Sequence, residues 1–139
     1  MPAPNRYPAE DPREWINRAQ SSLMQARQDV PGVYFEDLCF CAQQAAEKAI
    51  KAVLVMQGVD FPYVHDLGVL LKLVEDSGIS IPADIRAAAR ISDYAVVTRY
   101  PLDDDVTEGH YAEALLVAEG VVHWAGEHIR GGRFPPPSA

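Results

Sequence analysis

The stretch YFEDLCFCAQQAAEKAIKAVLVMQG, residues 34–58, decides the architecture. It holds no proline, and no glycine before Gly58. Phe35, Leu38, Ala42, Ala45, Ala46, Ala49, Val53 and Met56 recur at the spacing of one broad helical face. The pattern predicts a helix from Tyr34 to Gln57, stopped at Gly58. Its alanines leave room for a neighbouring helix to approach closely.

On the N-terminal side, Pro31-Gly32 closes an earlier helix that opens at Asp11-Pro12-Arg13-Glu14, where Asp11 caps, Pro12 takes the first helical position and Glu14 completes a capping box. Trp15, Ile16, Ala19, Leu23 and Ala26 form its apolar stripe. On the C-terminal side, the loop from Val59 to His65 leads into a short helix capped by His65 or Asp66, with Leu67, Leu70, Leu71 and Val74 inward and Ser77-Gly78 as its stop. Pro82 opens a fourth helix with Ile85, Ala88, Ala89, Ser92 and Val96 on one side, ending before Tyr100-Pro101 because a residue ahead of proline is pushed out of the helical region. Asp105 or Thr107 caps the last helix, which runs to Ile129 with Tyr111, Ala114, Leu115, Ala118, Val121, Val122 and Ala125 inward. No strand alternation and no internal repeat interrupts this series. The expectation is an all-α, up-and-down antiparallel bundle of about five helices, spanning residues 11–130 between flexible tails at 1–10 and 131–139.

Composition agrees with one domain of 139 residues, 48% hydrophobic and 23% charged. Twelve basic residues against 20 acidic ones give a net charge of −8, which opposes an extended nucleic-acid surface because such surfaces work by neutralising phosphates. Cys39 and Cys41 point about 200° apart on a helix and cannot bridge within it. Met1 is followed by no apolar run, and no apolar stretch approaches the roughly 20 residues of a membrane span. A soluble cytoplasmic protein is expected.

Three groups of residues can carry chemistry. On the long helix Asp37, Gln44, Lys48 and Lys51 fall within about 40° of one direction, with Glu47 at the margin. That stripe is either a solvated face held by a Glu47–Lys51 pair, or a site whose donors meet a phosphate or a base edge. Arg99 either satisfies the last carbonyls of the fourth helix or clamps an anion, with Tyr100 as a stacking surface. His65 is a loop or cap residue, or a functional imidazole. His123 and His128 lie about 140° apart on their helix, unlike a metal-binding pair, and Asp103-Asp104-Asp105 lacks the spacing of a calcium loop, so no metal is expected. Neither a glycine-rich phosphate loop nor a nucleophile elbow is present, and no cofactor is predicted.

Gln43-Gln44-Ala45-Ala46-Glu47-Lys48-Ala49-Ile50-Lys51-Ala52, then His65-Asp66-Leu67, then Arg99-Tyr100-Pro101, in that order across residues 11–129, resemble a HEPN domain, the small prokaryotic helical domain found with minimal nucleotidyltransferases. The resemblance implies a helical bundle, a homodimer, and one of two activities. Many members resemble metal-independent ribonucleases marked by an arginine with a histidine a few residues further on. Here the first histidine after Arg99 is His110, eleven positions later and beyond Pro101, so that motif is absent in its usual form. Were the chain a ribonuclease toxin, Arg99 and His110 would be its catalytic pair. The other branch is a non-catalytic domain that binds a nucleotide or pairs with a minimal nucleotidyltransferase in a toxin–antitoxin-like system. For it the matched positions are Gln44, Lys48, Lys51, His65, Asp66, Arg99 and Tyr100. A helical interaction module without a ligand is the third alternative. Homodimer formation has independent support, because Phe40, Cys41 and Val55 place apolar surface within the polar stripe.

Overall fold

The structure is a computed structural model that describes residues 3–95 and 106–132. Val96, Arg99, Tyr100, Pro101, the acidic turn 103–105 and the C-terminal residues from 133 lie outside the described residues. The described residues form five helices: α1 Pro12–Ala26, α2 Phe35–Met56, α3 Leu67–Asp76, α4 Ala83–Arg86 and α5 Glu108–Arg130. α4 runs on as a 3₁₀ helix, Ala87–Ala95.

α2 is the axis of the bundle, in contact with α1, α3, the 3₁₀ segment and α5. Tyr34 and Gln57 flank it as caps, and Gly58 takes the left-handed conformation (φ 68°) that ends it. Ala42, Ala45, Ala46, Ala49 and Ala52 are fully buried on α2, as are Ala19 and Ala26 on α1 and Ala114, Ala118 and Ala125 on α5. With only methyl groups between them, the three backbones come close enough for Ile50, Val53 and Leu54 to fill the remaining core.

Contacts between helix ends fix the directions. The Tyr111 hydroxyl on the first turn of α5 donates to the Ala26 carbonyl at the end of α1 (2.7 Å), so these two run antiparallel. Phe35 at the start of α2 stacks on the same Tyr111, ring centroids 5.7 Å apart, so α2 and α5 start together. α3 runs from the middle of α2, where Gln43 meets His65, to its end, where Gln57 meets Ser77; it therefore lies in the same sense as α2. The loop between Gly58 and Asp66 makes that return. It thereby lays a non-helical segment across the face of α2 that carries Gln43, Glu47 and Lys51.

Local chemistry sets the starts and corrects two expectations. Asp11 caps α1 through Arg13 N (2.9 Å), but Glu14 reaches past it and accepts from Tyr7 N (3.0 Å), which ties the segment before α1 to the helix instead of closing a capping box. Thr107 is the cap of α5 and Asp66 that of α3. The fourth helical segment is α-helical for one turn only. Its buried residues are Ile85, Ala88, Ile91 and Ala95, and the repeat of three in the first of these is that of a 3₁₀ winding. The tighter winding turns Ile91 inward, whereas Ala89 and Ser92, placed on the core side by an α-helical reading, are half-exposed; the Ser92 hydroxyl accepts from Leu67 N (2.9 Å) at the start of α3.

The alanine contacts have a measurable consequence. Ala46→Leu inserts three carbons where no space exists and costs about 1–3 kcal/mol, whereas Leu116→Ala, at a side chain 73% exposed, stays within about 0.5 kcal/mol. Urea unfolding midpoints of the two variants measure the difference, and equal midpoints would remove the close helix approach as the basis of the fold.

Candidate functional site

Three polar residues of α2 are inside the molecule, while Asp37 near its start is exposed. Gln43, Glu47 and Lys51, spaced by four, face the 58–66 loop, and they are 0%, 4% and 6% exposed. A solvated face is thus excluded for the Glu47–Lys51 pair. Glu47 Oε1 accepts from Gln43 Nε2 (3.0 Å) and lies 2.9 Å from His65 Nδ1, while Glu47 Oε2 accepts from Lys51 Nζ (2.9 Å). Gln43 Nε2 also donates to the His65 carbonyl (3.2 Å), and Gln44 Nε2 donates to Gln43 Oε1 (2.7 Å). Among the described residues no buried side-chain polar atom lacks a partner.

Burial pushes the Glu47 carboxyl up, but the donors from Gln43, Lys51 and His65 outweigh it and hold the group below its ordinary value of 4.5. An ionised carboxylate only accepts, so the proton of a neutral His65 sits on Nδ1. Nε2 is left as the free acceptor on a side chain 38% exposed. Around this centre stand three aromatic rings. Lys51 Nζ lies 5.4 Å from the Phe61 ring centroid and 5.8 Å from that of Tyr63. Trp15 of α1 meets Phe61 edge-on at 5.9 Å, and Tyr63 meets His65 edge-on at 6.0 Å. Tyr63 itself is 95% exposed, so the rim of the site presents one bare aromatic face beside a fixed imidazole.

Of the residues singled out by sequence, Lys51 and His65 come together on Glu47, and Gln44 joins them through Gln43. Lys48 diverges. Its ammonium donates to Ser22 Oγ of α1 (2.9 Å), and burial, followed by the nearby Arg18, pushes it below its ordinary value. Asp66 Oδ1 is committed to Gly68 N (2.8 Å) and Val69 N (3.2 Å), the cap of α3. His110 is likewise a cap residue: its Nδ1 accepts from Thr107 N (3.0 Å) while Thr107 Oγ1 accepts from His110 N (3.3 Å). Gln43, Tyr63 and the central place of Glu47 were missed by the sequence reading, although the four-residue spacing of Gln43, Glu47 and Lys51 is legible in it. Among the described residues no three side chains of histidine, cysteine, aspartate or glutamate converge as metal ligands. Cys39 and Cys41 are free thiols; burial pushes that of Cys39 up to about 12, which makes it inert.

Comparison with known proteins agrees with this architecture. A family model described as the HEPN domain matches residues 12–129. The crystal structure of an archaeal HEPN homologue is 30% identical, superposes with a TM-score of 0.69, and is matched over 86% of this chain and 98% of its own. A crystal structure of a protein from Thermus thermophilus is 29% identical with a TM-score of 0.70, over 84% of this chain and 96% of that one. A HEPN domain protein from Thermotoga maritima, 24% identical with a TM-score of 0.50 over 84% and 92% of the two chains, shares the fold. No curated protein matches.

The buried carboxylate makes stability depend on pH. Glu47 gives up its proton more readily folded than unfolded, so its contribution is complete above about pH 4.5 and fades as pH falls through the lower folded value. Glu47→Gln leaves the Lys51 ammonium buried without its counter-charge and costs about 3–5 kcal/mol near neutral pH. Denaturant unfolding of both proteins is expected to show that gap narrowing below pH 4.5; a gap independent of pH would exclude an ionised Glu47 at the centre of the site.

Proposed function

Since the chain belongs to the HEPN domain family, its matched span running from residue 12 to 129, we propose that it is a non-catalytic accessory domain that binds a nucleotide at the rim formed by Tyr63 and His65. The observation that carries this reading is the bare Tyr63 ring standing beside an imidazole whose free Nε2 is aimed by Glu47. A base stacked on an exposed aromatic ring gains about 1–3 kcal/mol, whatever its identity. His65 Nε2 accepts from an exocyclic amino group on the edge of such a base. Lys51 is already neutralised by Glu47, so the rim favours a base and sugar over a run of phosphates. That agrees with the acidic character of the whole chain.

Catalysis is not required by these residues. The Arg99–His110 separation departs from the family's ribonuclease spacing, and His110 Nδ1 is occupied in the cap of α5. In this reading Arg99 and Tyr100 add to the nucleotide site, and a minimal nucleotidyltransferase is the partner, in a two-component arrangement of the toxin–antitoxin kind. A reading frame for a small nucleotidyltransferase adjacent to this one supports that pairing. A homodimer uses the half-buried Phe40, Cys41 and Val55 on α2. Free thiols at Cys39 and Cys41 suit the cytoplasm, and among the described residues no helix is long and apolar enough to cross a membrane.

Calorimetric titration with ATP, AMP and adenosine is the decisive measurement. Binding of at least one of them is expected, weakened about tenfold or more by Tyr63→Ala and by His65→Ala. No binding by the intact protein removes the nucleotide reading. RNA degraded without added metal, and no longer degraded by Arg99→Ala or His110→Ala, replaces it with the ribonuclease.

A further inference from the structure

On the opposite flank of the α2 polar stripe, Lys48 faces a separate cleft between α1 and the segment that precedes it. The cleft is a cavity of about 360 Å³, reached by Arg6, Arg18 and Lys48 and by a single carboxylate, Glu14. Glu14 is buried and draws the two guanidinium groups to one place: its Oε2 accepts from Arg18 Nε (2.6 Å) and lies 3.7 Å from Arg6. Its Oε1 is spent on Tyr7 N, so it can neutralise one cation and not three. Two positive charges remain in excess, in a chain whose net charge is −8.

Lys48 carries the clearest share of that excess. It is half-buried, no carboxylate among the described residues comes within ion-pair distance of it, and its hydrogen-bond partner is the neutral hydroxyl of the buried Ser22. A half-buried ammonium paired with a hydroxyl and repelled by Arg18, with Glu47 acting on it only from beyond ion-pair distance, favours an incoming anion. Arg18 spends Nε on Glu14 and keeps its two terminal amino groups for a planar or tetrahedral oxyanion. Beyond these cations a second cavity of about 600 Å³ shares Pro4, Asn17, Ser21 and Gln25 with the first and continues along α1 past Met24, a side chain 63% exposed. Together they offer a charged end and an amide- and thioether-lined channel, in the size range of small-molecule sites.

We infer that this cleft binds a phosphorylated small molecule, its phosphate held between Lys48, Arg18 and Arg6 and its organic body laid along Met24. The site shares no residue with the Tyr63–His65 rim and stands or falls independently of it.

Calorimetry at constant ionic strength, with phenyl phosphate and inorganic phosphate as probes, tests the assignment. Phenyl phosphate is expected to bind more tightly than inorganic phosphate, since it alone reaches the channel. Lys48→Gln, which keeps a donor for Ser22, and Arg18→Gln, at an exposed position, are each expected to weaken it about tenfold or more, while Leu116→Ala, at an exposed side chain of α5 outside both sites, leaves it unchanged. Circular dichroism melts establish that the variants fold; should Lys48→Gln not, Arg18→Gln decides alone. Absence of binding, or binding undiminished in folded variants, overturns the site. Equal affinity for the two probes overturns the organic body along Met24.

Discussion

A carboxylate almost shut off from water must be surrounded by donors, and in this chain one such group, Glu47, dictates what lies around it. Gln43 and Lys51 come from the same helix, one turn before and one turn after. His65 comes from outside it and can reach Glu47 only if the chain leaving α2 turns back at Gly58 and lies across the helix face. That return gives α3 the same direction as α2, brings Asp66 to cap it, and sets Phe61 between Lys51 and Trp15 of α1. An aliphatic side chain at position 47 would impose none of these placements. The ion pair is therefore better understood as a device that specifies one arrangement than as a source of net stability.

Helix positions were largely legible in the sequence. The reading from Tyr34 to Gln57 differs from the helix Phe35–Met56 only in that its two end residues are the caps, because a long run without proline or glycine leaves little latitude. Burial of Leu67, Leu70, Leu71 and Val74 on α3 followed equally well from period alone. The fourth segment did not, because an α-helical wheel presumes about 3.6 residues per turn and the chain there winds more tightly, which exchanges Ile91 for Ala89 on the inner side.

The site was harder to read than the helices, for a reason visible in Lys48 and Lys51. They stand about 60° apart on a helical wheel and look like members of one stripe. In the fold α1 covers one flank of that stripe and the 58–66 loop the other, so one lysine meets a serine and the other a carboxylate. Which partner each finds is set by segments distant in sequence, and periodicity carries no information about that. A central helix also has no wholly solvated side, so the rule that polar stripes face water misplaces Glu47 and Lys51.

The winding of Ala87–Ala95 also fixes a length. A 3₁₀ helix rises about 2.0 Å per residue against about 1.5 Å in an α-helix, so these nine residues span about 4.5 Å more than the same residues would as an α-helix. Rewinding the segment would withdraw Ile91 from the core as it shortened. The burial of one isoleucine thus works as a spacer, setting how far along the bundle residue 95 stands.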